Sequence, residues 1–119
     1  MSSTPSVVDA AIRGIQEKKG KKIEVVNLQK VNTSVTNYLV ICQGSNPSQI
    51  SALSDEVWEQ VRKETGEKPL SVDGMRNAEW VAMDYGDVVV HIFMPEQRDY
   101  YDLVHLWADA EVREIADLD

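Results

Sequence analysis

The segment Tyr38-Leu39-Val40-Ile41-Cys42-Gln43-Gly44-Ser45-Asn46-Pro47 constrains this chain more than any other. Asn37 to Gln43 is nearly all apolar, the pattern of a central strand buried on both faces. Gly44-Ser45 ends the run. Asn46 then offers a side-chain oxygen to cap a helix. Pro47 stands at the first helical position, where its missing N–H leaves nothing unsatisfied. Ile50, Leu53, Val57 and Val61 recur behind it at helical spacing, and Gly66 stops the helix. A buried strand, a tight turn and an immediate helix make one half of an α/β layer.

The remaining elements follow from the same rules. Residues 1–5 read as a frayed, disordered end. A helix starts near Ser6, with Asp9 in its first turn and a stripe of Val8, Ala11, Ile12 and Ile15. It stops in Lys18-Lys19-Gly20-Lys21-Lys22. Ile23 to Leu28 reads as a short strand, and Gln29 to Thr36 is polar. Glu67 to Asn77, with Pro69 and Gly74, reads as a loop. Glu79 to Asp84 and Val88 to Met94 form a hairpin through Tyr85-Gly86-Asp87, with glycine at a positive φ. Pro95 opens a last helix with Leu103, Leu106 and Trp107 on its apolar side. The acidic tail, 109–119, is expected to be helical or frayed, leaving 6–108 as the domain. The order α-β-β-α-β-β-α gives an α/β fold: a mixed sheet with helices packed on it.

Composition narrows what such a domain does. The 119 residues suffice for one core without disulfides or metal. Twenty acidic against twelve basic residues give a formal charge of −8. That disfavours general nucleic-acid binding, which needs Lys and Arg to displace counterions, and equally an anionic membrane. It suits a basic protein partner, although many cytoplasmic proteins are simply acidic. No apolar run reaches membrane-spanning length, and the first residues lack the pattern of a signal peptide, so a cytoplasmic protein is expected. Cys42, the only cysteine, lies in the apolar run and reads as an inert buried thiol.

No catalytic constellation stands out. His91, within Val88-Val89-Val90-His91-Ile92-Phe93, fits a hydrogen-bonded structural residue better than a base or ligand. His105 lies in the last helix. No His, Cys, Asp and Glu spacing announces a metal site, and no cofactor is implied. Gly44-Ser45 resembles the glycine-serine turn of the nucleotidyltransferase superfamily, whose backbone N–H groups hold phosphate. Such enzymes also need paired carboxylates for two metal ions. Asp84 and Asp87 are the candidates, but Tyr85-Gly86 separates them. A nucleotide-binding or nucleotidyl-transferring enzyme is therefore the alternative function.

The last third concentrates Trp80, Tyr85, Arg98, Tyr100, Tyr101 and Trp107. Trp, Tyr and Arg are the usual anchors of protein interfaces, and also common core residues. Trp107 and Tyr101 are assigned to the core. Tyr85 at a turn tip and Arg98 and Tyr100 at a helix start are expected to be exposed. Trp80, Asp84, Tyr85, Asp87, Arg98 and Tyr100 form the candidate partner-binding set.

Four ordered segments carry a family resemblance. They are Asn37 to Ser45, Lys68-Pro69-Leu70-Ser71-Val72-Asp73-Gly74, Glu79 to Phe93, and Arg98-Asp99-Tyr100-Tyr101-Asp102-Leu103 with Leu106-Trp107. Over residues 7–108 the chain resembles the Iojap/RsfS family of ribosome silencing factors. The resemblance implies a nucleotidyltransferase-like fold without enzymatic activity. It implies binding to the fourteenth protein of the large ribosomal subunit, on the intersubunit face. There the protein would block joining of the small subunit and repress translation in starvation or stationary phase. Organellar relatives imply a second possibility, a role in large-subunit assembly. A homodimer is also plausible. The chain departs from the family at Asn37, where an acidic residue is common, which shifts weight to Asp84, Asp87 and the aromatics.

Overall fold

The computed structural model describes residues 4–31, 36–107 and 110–117. Ten elements follow one another: α1 (Thr4–Glu17), β1 (Lys21–Asn27), β2 (Tyr38–Gln43), α2 (Pro47–Thr65), β3 (Ser71–Asp73), β4 (Trp80–Asp84), β5 (Val88–Phe93), α3 (Pro95–Tyr101), α4 (Leu103–Leu106) and β6 (Glu111–Ile115). The strands form one sheet in the order β3-β4-β5-β2-β1-β6. Only β2 and β5 run parallel, with Tyr38 beside Val88 and Gln43 beside Phe93. The other neighbours are antiparallel. The apolar run that became β2 is central, with Leu39, Val40, Ile41 and Cys42 all buried.

Local chemistry explains the boundaries. Asn46 caps α2 by accepting the Gln49 N–H at 2.9 Å, and Pro47 follows as expected. Gly66 closes it at φ 79, donating its N–H to the Arg62 carbonyl. Gly86 turns the β4–β5 hairpin at φ 87, a conformation that favours glycine.

The two faces of the sheet are covered unequally. Helices α1 and α2 pack on one face and on each other, enclosing Ala11, Ile15, Leu53, Val57, Val90 and Ile92 in the main core. Each of these valine, leucine and isoleucine side chains contributes roughly 1.5–3 kcal/mol over leaving it in water. The opposite face carries a smaller core of Val26, Leu28, Leu39, Ile41 and Phe93. Leu103, Val104 and Trp107 cover that core, while Leu106 is exposed.

Several expectations are corrected. Helix α1 begins at Thr4 rather than near Ser6, so Thr4 and Pro5 of the supposed frayed end are helical; residues 1–3 lie outside the described ones. The loop 67–77 contains strand β3, paired with β4. The last helix breaks at Asp102, which turns to φ 47, so α3 and α4 are separate. The acidic tail is neither helical nor frayed over 111–115. It forms β6, antiparallel to β1, with Ile23 opposite Ile115 and Val26 opposite Val112. Pairing with the open edge of β1 satisfies a row of backbone groups and overrides the tail's polarity.

Candidate functional site

The face opposite α1 and α2 is left open near the β4–β5 hairpin. Along β5, Val88, Val90 and Ile92 point into the main core, so Val89, His91 and Phe93 point the other way. Antiparallel pairing sets Trp80 opposite Phe93, Ala82 opposite His91 and Asp84 opposite Val89 on that face. Asp73 of β3 pairs with Ala82 and extends the face to the sheet edge.

Trp80 organises the aromatic centre. Its ring stacks on Phe93 at 5.0 Å and lies 4.4 Å from Tyr101, centroid to centroid. Its indole N–H donates to His91 Nδ1 at 3.0 Å. Tyr101 meets Tyr100 edge to face at 5.0 Å, and Tyr100 is 81% exposed. Burial without a carboxylate partner pushes the His91 imidazole down to about 4, so the ring is neutral at physiological pH. The loop before β4 is shaped to deliver Trp80. Gly74 has φ 93, and a Cβ there would fall 1.9 Å from the Trp80 carbonyl oxygen. Any side chain at that position collides with the backbone that carries the tryptophan.

Trp80, Asp84 and Tyr100 thus share one side of the molecule with His91, Ala82, Val89 and Tyr101. Asp87 stands exposed in the hairpin turn. The Asp84 carboxylate is partly occupied, accepting the Gly86 N–H at 2.7 Å. The expectation of exposure fails for Tyr85 and Arg98. Tyr85 is 7% exposed, its ring folded into the main core and its hydroxyl buried without a partner. Burial raises that phenol well above its ordinary range. Its backbone marks the turn, but its side chain follows apolar area inward. Arg98 is a bolt between α3 and the sheet. Its guanidinium pairs with Glu24 and donates to the Lys22 carbonyl at 2.6 Å and to Gln43 Oε1 at 3.3 Å, leaving the side chain 12% exposed. Tyr101, assigned to the core, is 46% exposed against Trp80. His91 and Tyr101 are the face residues that the expected set omits. The period-two alternation of β5 carries the signal for His91, since it places His91 on the side away from Val90.

The turn after β2 was the other candidate. Ser45 N–H and hydroxyl both donate to Gln49 Oε1, at 2.7 and 2.9 Å, and Gly44 N–H donates to the Phe93 carbonyl. Gln49 in turn donates to the Lys18 and Lys19 carbonyls. A neutral side chain therefore fills the cradle where a phosphate would sit. The parallel register also puts Gly44-Ser45 and the Asp84–Asp87 turn at opposite ends of a six-residue strand, roughly 17–20 Å apart. A two-metal centre needs its groups within a few ångströms. These residues do not form one nucleotide site. Cys42 is buried, with its thiol pushed up to about 12 by burial. No three His, Cys, Asp or Glu side chains converge to hold a metal among the described residues. No described helix is long and apolar enough to cross a membrane.

Comparison with known proteins places the chain among ribosomal silencing factors. The chain is 34% identical over 114 residues to the ribosomal silencing factor RsfS of Bacillus subtilis, covering 96% of this chain and 92% of that one. It is 31% identical over 113 residues to the RsfS of Halalkalibacterium halodurans, covering 95% of each. A crystal structure of a Chromobacterium violaceum protein superposes with a TM-score of 0.84 at 34% identity, over 90% of this chain and 88% of that one. The family model described as "Ribosomal silencing factor during starvation" matches residues 1–119. With the whole length matched and the fold shared, the chain belongs to the ribosomal silencing factor (RsfS) family.

Proposed function

We propose that this protein docks on the large ribosomal subunit in the cytoplasm through its open sheet face, and that its bulk then blocks joining of the small subunit. The partner is a basic protein of the intersubunit surface, the fourteenth protein of the large subunit. The observation that carries this proposal is the uncovered aromatic face of Trp80, His91, Tyr100 and Tyr101, bordered by Asp73, Asp84 and Asp87. Aromatic anchors ringed by polar groups are the usual make-up of a specific interface. The acids lie where lysine and arginine of a basic partner are attracted at short range. Occlusion requires no chemistry, in keeping with a filled phosphate cradle and separated carboxylates.

The test is co-sedimentation with isolated large subunits, followed by subunit joining read by light scattering. The double variant Tyr100→Ala with Asp87→Lys is expected to weaken docking about tenfold or more and to restore joining. Tyr85→Phe, which changes only the core, should bind like the parent. Undiminished binding of the double variant refutes the assigned face.

A further inference from the structure

We infer that Trp80 acts in docking as a positioning residue for His91, fixing the imidazole as the Nε2–H tautomer, and that this N–H is donated to a main-chain carbonyl of the ribosomal partner. The inference rests on the docking face proposed above and deepens it by naming the bond at its centre.

An indole N–H only donates. Since it points at His91 Nδ1, that nitrogen must hold a lone pair. A neutral ring then carries its one proton on Nε2. Burial keeps the ring neutral, and a second proton would force two N–H groups against each other. Stacking of His91 near Phe93, at 5.9 Å, and of Trp80 on Phe93 fixes the ring planes. The Trp80 bond is the only hydrogen bond of the His91 ring among the described residues. His91 is only partly buried, on the face away from the main core. A pre-oriented donor therefore stands in the middle of an apolar, aromatic face.

The chemistry of the partner selects the acceptor. Lysine and arginine side chains have donors only. Backbone carbonyls are the acceptors that a protein surface carries however basic its side chains are. A partner acceptor covered by this face and left without a donor loses its water without compensation, so the bond discriminates between right and wrong contacts.

The test combines a tautomer measurement with binding. Nitrogen-15 NMR of the free protein should show Nδ1 as the unprotonated nitrogen and Nε2 as the protonated one at neutral pH. His91→Phe keeps a ring but has no donor, and should weaken binding to isolated large subunits by about five- to tenfold. His91→Gln can accept from Trp80 and still donate outward, and should stay within about threefold of the parent. Trp80→Phe keeps the aromatic packing but removes the lock, and should mix the tautomers and weaken binding. It serves as the second variant if His91→Phe melts at a much lower temperature. An Nδ1–H ring in the parent overturns the inference. So does a His91→Phe variant that binds like the parent while Tyr100→Ala with Asp87→Lys does not, which leaves the docking face standing. If both bind like the parent, the docking face itself fails, and the inference with it.

Discussion

His91 and Tyr85 lie on one hairpin and illustrate how much depends on which side of a sheet a residue takes. His91 is held neutral by burial, at about 4 against an ordinary value of 6.5. The unfolded chain therefore takes up this proton near pH 6.5, the folded one only near pH 4. Stability from the neutral ring is complete above pH 6.5 and is lost as pH falls toward 4. Between pH 7 and pH 5 the loss should be roughly 2 kcal/mol, and His91→Gln should remove that part of the acid slope in urea unfolding. An unchanged slope would mean that the ring is not held neutral by the fold. Tyr85 shows the opposite outcome: a turn-tip aromatic whose backbone is at the surface and whose ring is in the core. Residue type and turn chemistry mark the place of both, but neither reveals the direction of a side chain.

Among the elements, the helix pair is the most demanding contact. A Cβ on Gly14 would lie 3.0 Å from Val57 Cα, so α1 and α2 touch nearly backbone to backbone. Gly14→Val should destabilise by about 1–3 kcal/mol, read as a lower urea midpoint with an unchanged slope. Arg13 clamps the same pair, donating to Glu64 from Nε at 3.0 and 2.9 Å. That hydrogen bond, helped by one from Gln60, holds the Glu64 carboxyl down to about 2. The stabilisation is present above the ordinary carboxylate range and fades as pH drops toward 2. It is small, under about 1 kcal/mol, because the pair is wet. Elements with strong periodicity or caps, β2, α2 and the hairpin, are legible in the sequence because burial and capping write them locally. Strand β6 is not, since Glu111, Val112, Arg113 and Glu114 are all exposed and only backbone pairing with β1 makes them a strand. Strand β3 is three residues between Pro69 and Gly74, too short for any pattern. The break at Asp102 depends on a left-handed residue that composition does not mark. The proposed docking face is half legible for the same reason. Trp80, Asp84, Asp87 and Tyr100 can be named from type and place, but the Arg98 bolt arises between segments far apart in sequence.

At the scale of the molecule, one face of the sheet is sealed by two long helices and the other only partly by two short ones. If docking runs through the proposed face, the local attraction of its rim acids Asp73, Asp84 and Asp87 for a basic protein patch should weaken as salt rises. Raising salt from about 50 to about 300 mM should therefore weaken binding to large subunits. Binding indifferent to salt would separate these acids from docking. The sheet is closed on one side by the pairing of Ile23 with Ile115, residues about 90 positions apart. Contacts of such range form late, because a long stretch of chain must be ordered before they are rewarded. Without β6, β1 would offer an unpaired hydrogen-bonding edge beside the core. The last strand, charged and exposed, therefore caps the β1 edge in the finished fold, and a chain without it would leave that edge open to a second molecule.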